Sequence, residues 1–243
     1  MLIKMEKIFG VGFSKTGTTS LEKALEILGY KVCRGHCKFS HTFYLHALYI
    51  HKDYDEIFRL INYWDAFADA PWGGTDLYLQ LYNNFPNAKY ILTVREPESW
   101  YESFEKLITM FDLNHETALD SYHANGMYGS AYFFKHIFDI EKLAGNKQKI
   151  MDHFKLYNQK VIDFFSKHPA NFMVYDITSG EEWQKLCKFL GVKIPKNDFP
   201  HANKSIGNPY LSNIFSEKHS FQSSSNKMPG KFLKKILNIS YKK

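Results

Sequence analysis

The chain predicts an α/β fold, a parallel β-sheet flanked by helices in a single domain. Short apolar segments alternate along it with longer segments of helical periodicity, the order that builds parallel sheets. The strand candidates at 7–12 and 90–94 are almost continuously apolar, β-branched or aromatic, as strands buried on both faces are. A chain of 243 residues with 44% hydrophobic content is also long enough to bury one sizeable core.

Taken in order, the first strand at 7–12 runs into a Gly, Ser and Thr turn, and a helix follows over 18–28. Leu21, Ala24, Leu25 and Leu28 recur there at helical spacing, and Gly29 stops the run. A short strand is expected near 30–33 and another within Asp65-Ala66-Phe67-Ala68. Tyr90 to Val94 forms the next strand, and Pro97 opens a helix over 97–111, where its missing N–H is harmless. A last strand is expected at 172–176, with further helices near 40–50, 76–84, 147–167 and 181–190. The stretch 112–146 carries His115, His123 and His136 among many aromatics and reads as a helical lid or acceptor-binding insertion. The α/β domain is drawn over 1–211. Residues 212–243 form a basic tail, with a linker at Gln222-Ser223-Ser224-Ser225-Asn226 and then either flexible chain or a short amphipathic helix over 231–239.

The net charge of +6 is not spread over the chain. Residues 216–243 hold seven lysines against one acid, Glu217, which leaves the body with 24 basic and 24 acidic residues. A neutral body argues against a nucleic-acid surface, and the tail offers weak contact with a membrane surface. Three cysteines, Cys33, Cys37 and Cys187, give no disulfide framework, and Cys33-Arg34-Gly35-His36-Cys37 lacks the second cluster a zinc site needs. With no long apolar run the sequence reads as cytoplasmic, and with no ligand cluster it reads as metal-free.

The chemistry concentrates in Gly12-Phe13-Ser14-Lys15-Thr16-Gly17-Thr18-Thr19-Ser20. A strand, a glycine-rich turn and a helix N-terminus together aim backbone N–H groups at an anion. Gly12 and Gly17 keep the spacing of a G-x-x-x-x-G phosphate loop, so the sheet is of the P-loop type. Thr18 stands where an ATPase loop needs lysine, however, and the lysine, Lys15, lies inside the loop. Thr19-Ser20-Leu21-Glu22 also fits a capping box, which would make Thr19 only a helix cap.

The loop Ser-Lys-Thr-Gly-Thr-Thr-Ser resembles the 5′-phosphosulfate loop of the sulfotransferases that use 3′-phosphoadenosine 5′-phosphosulfate (PAPS). The resemblance implies that Lys15 meets the bridging oxygen of the donor, while the loop from Ser14 through Thr16, Gly17, Thr18 and Thr19 to Ser20 holds its 5′-phosphate. In that family an arginine at a strand end and a serine eight residues later grip the 3′-phosphate, and Arg95 and Ser103 have that spacing. An arginine fork on phosphate is worth about 1.5–3 kcal/mol per charge-assisted bond, so Arg95 should outweigh Ser103. The competing reading pairs Arg95 with Glu96 or Glu98. Tyr175-Asp176-Ile177 and Phe199-Pro200-His201-Ala202-Asn203-Lys204 look like the carboxyl-terminal part of a compact subfamily, so the resemblance covers about residues 5–205. The Arg-Lys-Gly triplet that closes over the donor in the cytosolic branch is missing, and whether His201, Asn203 or Lys204 replaces it is left open.

An alcohol or amine acceptor also needs a base. Asp69, in Asp65-Ala66-Phe67-Ala68-Asp69-Ala70-Pro71-Trp72, is the leading candidate at a strand end, with a turn-capping or ion-pairing role as the alternative. His36, His41 and His46 are rivals. Trp72, Phe43 and Tyr44 are candidates to line an acceptor pocket for a small molecule, glycan or lipid. Two other functions compete: an atypical P-loop kinase or NTPase, for which Asp176 is a weak magnesium candidate, and a non-catalytic nucleotide-binding protein.

Overall fold

A computed structural model of the protein describes residues 6–33, 45–46, 48–109, 128–177 and 182–202. The sequence features at His36, Cys37, His41, Phe43, Tyr44, His115, His123, Asn203, Lys204 and the 212–243 tail lie outside them.

Five parallel strands form one sheet in the order β2-β3-β1-β4-β5. They are β1 (Ile8–Gly10), β2 (Val32–Cys33), β3 (Ala66–Phe67), β4 (Lys89–Thr93) and β5 (Phe172–Tyr175). Ile8 stands level with both Ala66 of β3 and Lys89 of β4, so β1 is the central strand. Seven helices with described bounds surround the sheet: α1 (Thr18–Ile27), α2 (Tyr54–Ile61), α3 (Leu77–Asn84), α4 (Pro97–Thr109), α5 (Tyr128–Phe138), α6 (Lys147–Phe165) and α7 (Trp183–Leu190). The α/β sheet with flanking helices that the sequence predicts is the fold observed.

Alternation along the strands gives each face its own core. Ile8, Ala66, Ala68, Ile91, Met173 and Tyr175 face Leu21, Ala24 and Leu25 of α1 and Trp183, Leu186 and Cys187 of α7. α1 approaches closely because Gly10 has no side chain: a Cβ there would stand 2.9 Å from Ala68 Cβ and 3.1 Å from Leu21 Cδ2. The other face is aromatic. Phe9 stacks at 5.0 Å on Phe67 and 5.5 Å on Tyr90, and Tyr90 meets Phe165 of α6 at 4.7 Å. Trp72 belongs to this cluster, 4.7 Å from Phe67 and 1% exposed. That corrects its expected place in an acceptor pocket: a ring packed among Phe9 and Phe67 is core.

Helix α2 is absent from the sequence reading. Its apolar stripe, Tyr54, Ile57, Phe58 and Ile61 at i, i+3, i+4 and i+7, spans only two turns, with Ile57 and Ile61 buried. Its end signals are electrostatic: Asp53 accepts from the Glu56 amide at 3.3 Å, Asp55 and Glu56 occupy the first turn, and Arg59 the last. Residues 128–138, inside the stretch expected to be a lid or insertion, form α5, with Phe133, Phe134 and Phe138 buried.

Candidate active site

The order β3-β1-β4 places three carboxyl-terminal strand ends side by side at the point where connections leave in opposite directions. Open parallel sheets bind ligands at such a point. Here it gathers the loop after β1, Asp69 after β3 and Arg95 after β4.

The loop is shaped by its carbonyls. The Tyr157 hydroxyl donates to the Val11 carbonyl at 2.6 Å, the Thr16 hydroxyl to the Phe13 carbonyl at 2.5 Å, and the Trp100 indole N–H to the Ser14 carbonyl at 2.9 Å. Arg95 Nη1 reaches the Lys15 carbonyl at 3.4 Å. Four carbonyls in a five-residue stretch are thus held by the protein. Left-handed backbone at Lys15 (φ 74°) and Gly17 (φ 98°) turns the following amides, which makes an anion-binding concavity at the start of α1. Glycine is required at two places by close approach. A Cβ on Gly12 would lie 2.1 Å from Thr93 Oγ1, and one on Gly73 would lie 2.0 Å from the Gly12 carbonyl oxygen.

Helix α1 begins at Thr18 with Gly17 as its N-cap and no side-chain cap, so Thr19 is not a capping residue. The left-handed Gly17 turns the chain sharply into the helix before Thr19 is reached. Thr19 lies half-buried in the first turn.

The hydroxyls around it turn into the protein. Thr16 Oγ1 also meets Thr93 Oγ1 at 2.6 Å. Ser20 Oγ accepts from the Ala202 amide at 3.1 Å, tying the segment after α7 to the first turn of α1. Ser14 and Thr18 both donate to Asp69, Ser14 to Oδ1 and Thr18 to Oδ2, the latter at 3.1 Å. The Ala70 amide adds a third bond to Asp69 Oδ1 at 2.8 Å. Asp69 itself is buried and left-handed (φ 67°), the first residue of the Asp69-Ala70-Pro71 turn.

Lys15 is half-buried between Asp69 and Arg95. Burial pushes its ammonium below the ordinary lysine value of 10.5, Asp69 pulls it back up, and Arg95 pushes it down again. A cation short of solvent and beside a second cation is primed for an anionic ligand.

Arg95 is not paired with the acids that follow it. Glu96 accepts from the amides of Glu98 (3.0 Å) and Ser99 (2.8 Å) at the start of α4, and Glu98 pairs with Lys147 at 2.7 Å. Arg95 Nη2 reaches Ser99 Oγ at 3.3 Å instead. Ser103 lies half-buried one turn further along α4. Of the rival bases, His46 is 2% exposed and stacks on Phe133 at 4.2 Å. His201 meets Glu182 at 3.0 Å, on the segment tied to α1.

The structure therefore brings together Ser14, Lys15, Gly17, Thr18, Asp69 and Arg95, and turns the hydroxyls of Thr16 and Ser20 into the scaffold. It adds Trp100, Tyr157 and Thr93, which the sequence does not single out. Their roles depend on contacts 77 to 146 residues away along the chain. Among the described residues, no group of three or more His, Cys, Asp or Glu side chains is arranged to hold a metal, and no helix is long and apolar enough to cross a membrane.

Comparison with known proteins fits this geometry. A family model described as a sulfotransferase domain matches residues 7–207. The chain belongs to the sulfotransferase family. The match begins at β1 and runs past Ala202, so it takes in the loop, Asp69, Arg95 and the segment tied to α1. The chain is also similar to Ava biosynthesis cluster protein M of Aspergillus versicolor, 26% identical over 232 residues and covering 83% of this chain and 82% of that one. A sulfotransferase-family domain makes this protein a transferase.

Proposed function

We propose that the protein transfers a sulfuryl group from PAPS to a hydroxyl or amine of a small-molecule, glycan or lipid acceptor and releases adenosine 3′,5′-bisphosphate. The observation that carries this reading is the convergence of a carbonyl-pinned anion loop, Lys15 and Arg95 at one switch point of a sulfotransferase-family sheet. The residues present suit a ligand anionic at both ends. Loop amides and Lys15 suit one anionic group, and Arg95, on the neighbouring strand end, suits a second together with Ser103.

In this reading the S–O bond to the bridging oxygen breaks as sulfur bonds to the acceptor oxygen or nitrogen, and the electron pair of the broken bond stays on the 5′-phosphate. Lys15 and the α1 N-terminus stabilise the charge left on the 5′-phosphate, an interaction stronger in the transition state than before it. The carboxylate of Asp69 takes the proton from the acceptor. Ser14, Thr18 and the Ala70 amide hold that carboxylate in one orientation beside Lys15. The hydroxyl hydrogens of Ser14 and Thr18 are committed to Asp69, so amides rather than hydroxyls make the principal contacts with the 5′-phosphate at these positions.

Calorimetry of adenosine 3′,5′-bisphosphate against ATP, each with and without magnesium, tests the donor. Magnesium-independent preference for the bisphosphate is expected. Preference for ATP with magnesium would overturn the reading in favour of a P-loop kinase.

A further inference from the structure

Arg95 does more in this structure than wait for a phosphate. Its Nη1 reaches the Lys15 carbonyl at 3.4 Å, and its Nη2 reaches Ser99 Oγ at 3.3 Å. Lys15 is a non-glycine residue in left-handed backbone (φ 74°), an uncommon conformation that persists only where neighbours hold it. The carbonyl on its N-terminal side is held by Trp100, which is 0% exposed and stacked at 4.0 Å on Phe154. Its own carbonyl is held by Arg95. The two donors bracket the one residue whose backbone sets both where the lysine side chain points and how the amide of Thr16 is turned.

A guanidinium has five N–H donors in a planar fork, and these two bonds use two of them. The remainder leave Arg95 able to meet a phosphate while it still holds the loop. Ser99, in the first turn of α4, fixes the plane of the fork, and Glu96 fixes Ser99 by accepting from its amide at 2.8 Å.

From this we infer that Arg95 is a positioning residue for the 5′ loop as well as a ligand for the 3′-phosphate, with Ser99 orienting it. The 3′ end of the donor is then read twice, once by direct contact and once through the geometry of Lys15. Donors lacking the 3′-phosphate leave the fork without its second anchor, and Lys15 less firmly placed. This inference rests on the donor reading above.

Two measurements on the full chain separate the roles. Amide hydrogen exchange at 14–18 is measured without ligand for wild type, Arg95→Lys and Ser99→Ala. Affinity for adenosine 5′-phosphate, which fills the 5′ site alone, is measured beside adenosine 3′,5′-bisphosphate. Lysine keeps the charge but replaces the planar fork, whose two terminal nitrogens meet the Lys15 carbonyl and Ser99 separately, with a single point, so a purely long-range charge effect is preserved in Arg95→Lys. We expect faster exchange at 14–18 in Arg95→Lys and an affinity for adenosine 5′-phosphate lowered by about 3–10-fold, the worth of one such bond. The same direction and a smaller size are expected in Ser99→Ala. Wild-type exchange at 14–18 in Arg95→Lys overturns the positioning role even if bisphosphate binding falls, because that fall alone is explained by direct contact. A wild type that does not prefer the bisphosphate overturns the donor reading, and this inference with it.

Discussion

The loop after β1 and the turn after β4 face the same space but are built differently. In the loop, Ser14, Thr16, Thr18 and Ser20 are all buried and hydrogen-bonded to other parts of the protein, which leaves backbone amides and Lys15 for a ligand. After β4, Arg95, Ser99 and Ser103 are all half-exposed, and the ligand is offered side chains. A backbone cradle is rigid because every carbonyl turned away from the ligand must find a donor in the scaffold. A side-chain fork needs only one or two neighbours to orient it. The first arrangement suits the reacting end of a donor, where misplacement is costly in rate, and the second suits a remote handle that contributes binding.

Asp69→Asn gives the largest expected effect, because the proposed function makes the carboxylate that holds Ser14 and Thr18 the general base as well. Turnover with an acceptor found by screening should fall by roughly 10²–10⁴-fold, the range for loss of a general base. Near-full turnover would remove Asp69 from proton transfer and leave it as the clamp that holds Ser14 and Thr18.

The rigidity of the loop is tested through stability. In Gly12→Ala the new Cβ would stand 2.1 Å from Thr93 Oγ1 and 2.4 Å from the Thr93 carbonyl, so the loop must lift from β4. A loss of about 1–3 kcal/mol in denaturant unfolding is expected, as for overpacking of a dense core. Gly29→Ala is the control. No atom lies within 4 Å of its Cβ position, and only the strain of φ +90° acts there, about 1 kcal/mol. Equal losses in the two variants would show that the loop is not seated on β4 as described.

The smallest effect is a pH dependence. Lys15 has a folded-state pKa below its unfolded value of 10.5. Between the two the folded protein binds fewer protons than the unfolded chain, so this group makes stability rise with pH across that window. An anion at the loop favours the charged lysine and reverses the shift. Affinity for adenosine 3′,5′-bisphosphate should therefore decline as pH rises through the window below 10.5, with proton uptake on binding. Lys15→Met should lose that slope, and an identical slope in both proteins would assign it to another group.

Much of this was legible in the chain. All five strands lie where apolar, β-branched or aromatic runs place them, and the glycine spacing at Gly12 and Gly17 by itself marks the loop. Local pattern suffices for these features because strand burial and turn chemistry are written within a few neighbouring residues. Helix α2 carries a stripe too, at Tyr54, Ile57, Phe58 and Ile61, but over two turns, a length at which a short helix and a loop with a few apolar residues look alike. Trp72 was misassigned because an aromatic residue beside a turn reads the same whether it lines a pocket or closes a core.

Residue types and spacing determined the sheet, the loop and the identity of its lysine and arginine. Tertiary structure alone decided which hydroxyls face the ligand space and which face the scaffold, that Asp69 clamps both Ser14 and Thr18, and that Trp100, Tyr157 and Arg95 hold the loop carbonyls. The physical reason is that a hydrogen bond is satisfied by proximity in space. A donor on α4 or α6 reaches a carbonyl after β1 across 86 to 146 residues of chain, a pairing fixed only when the helices pack beside the strand ends.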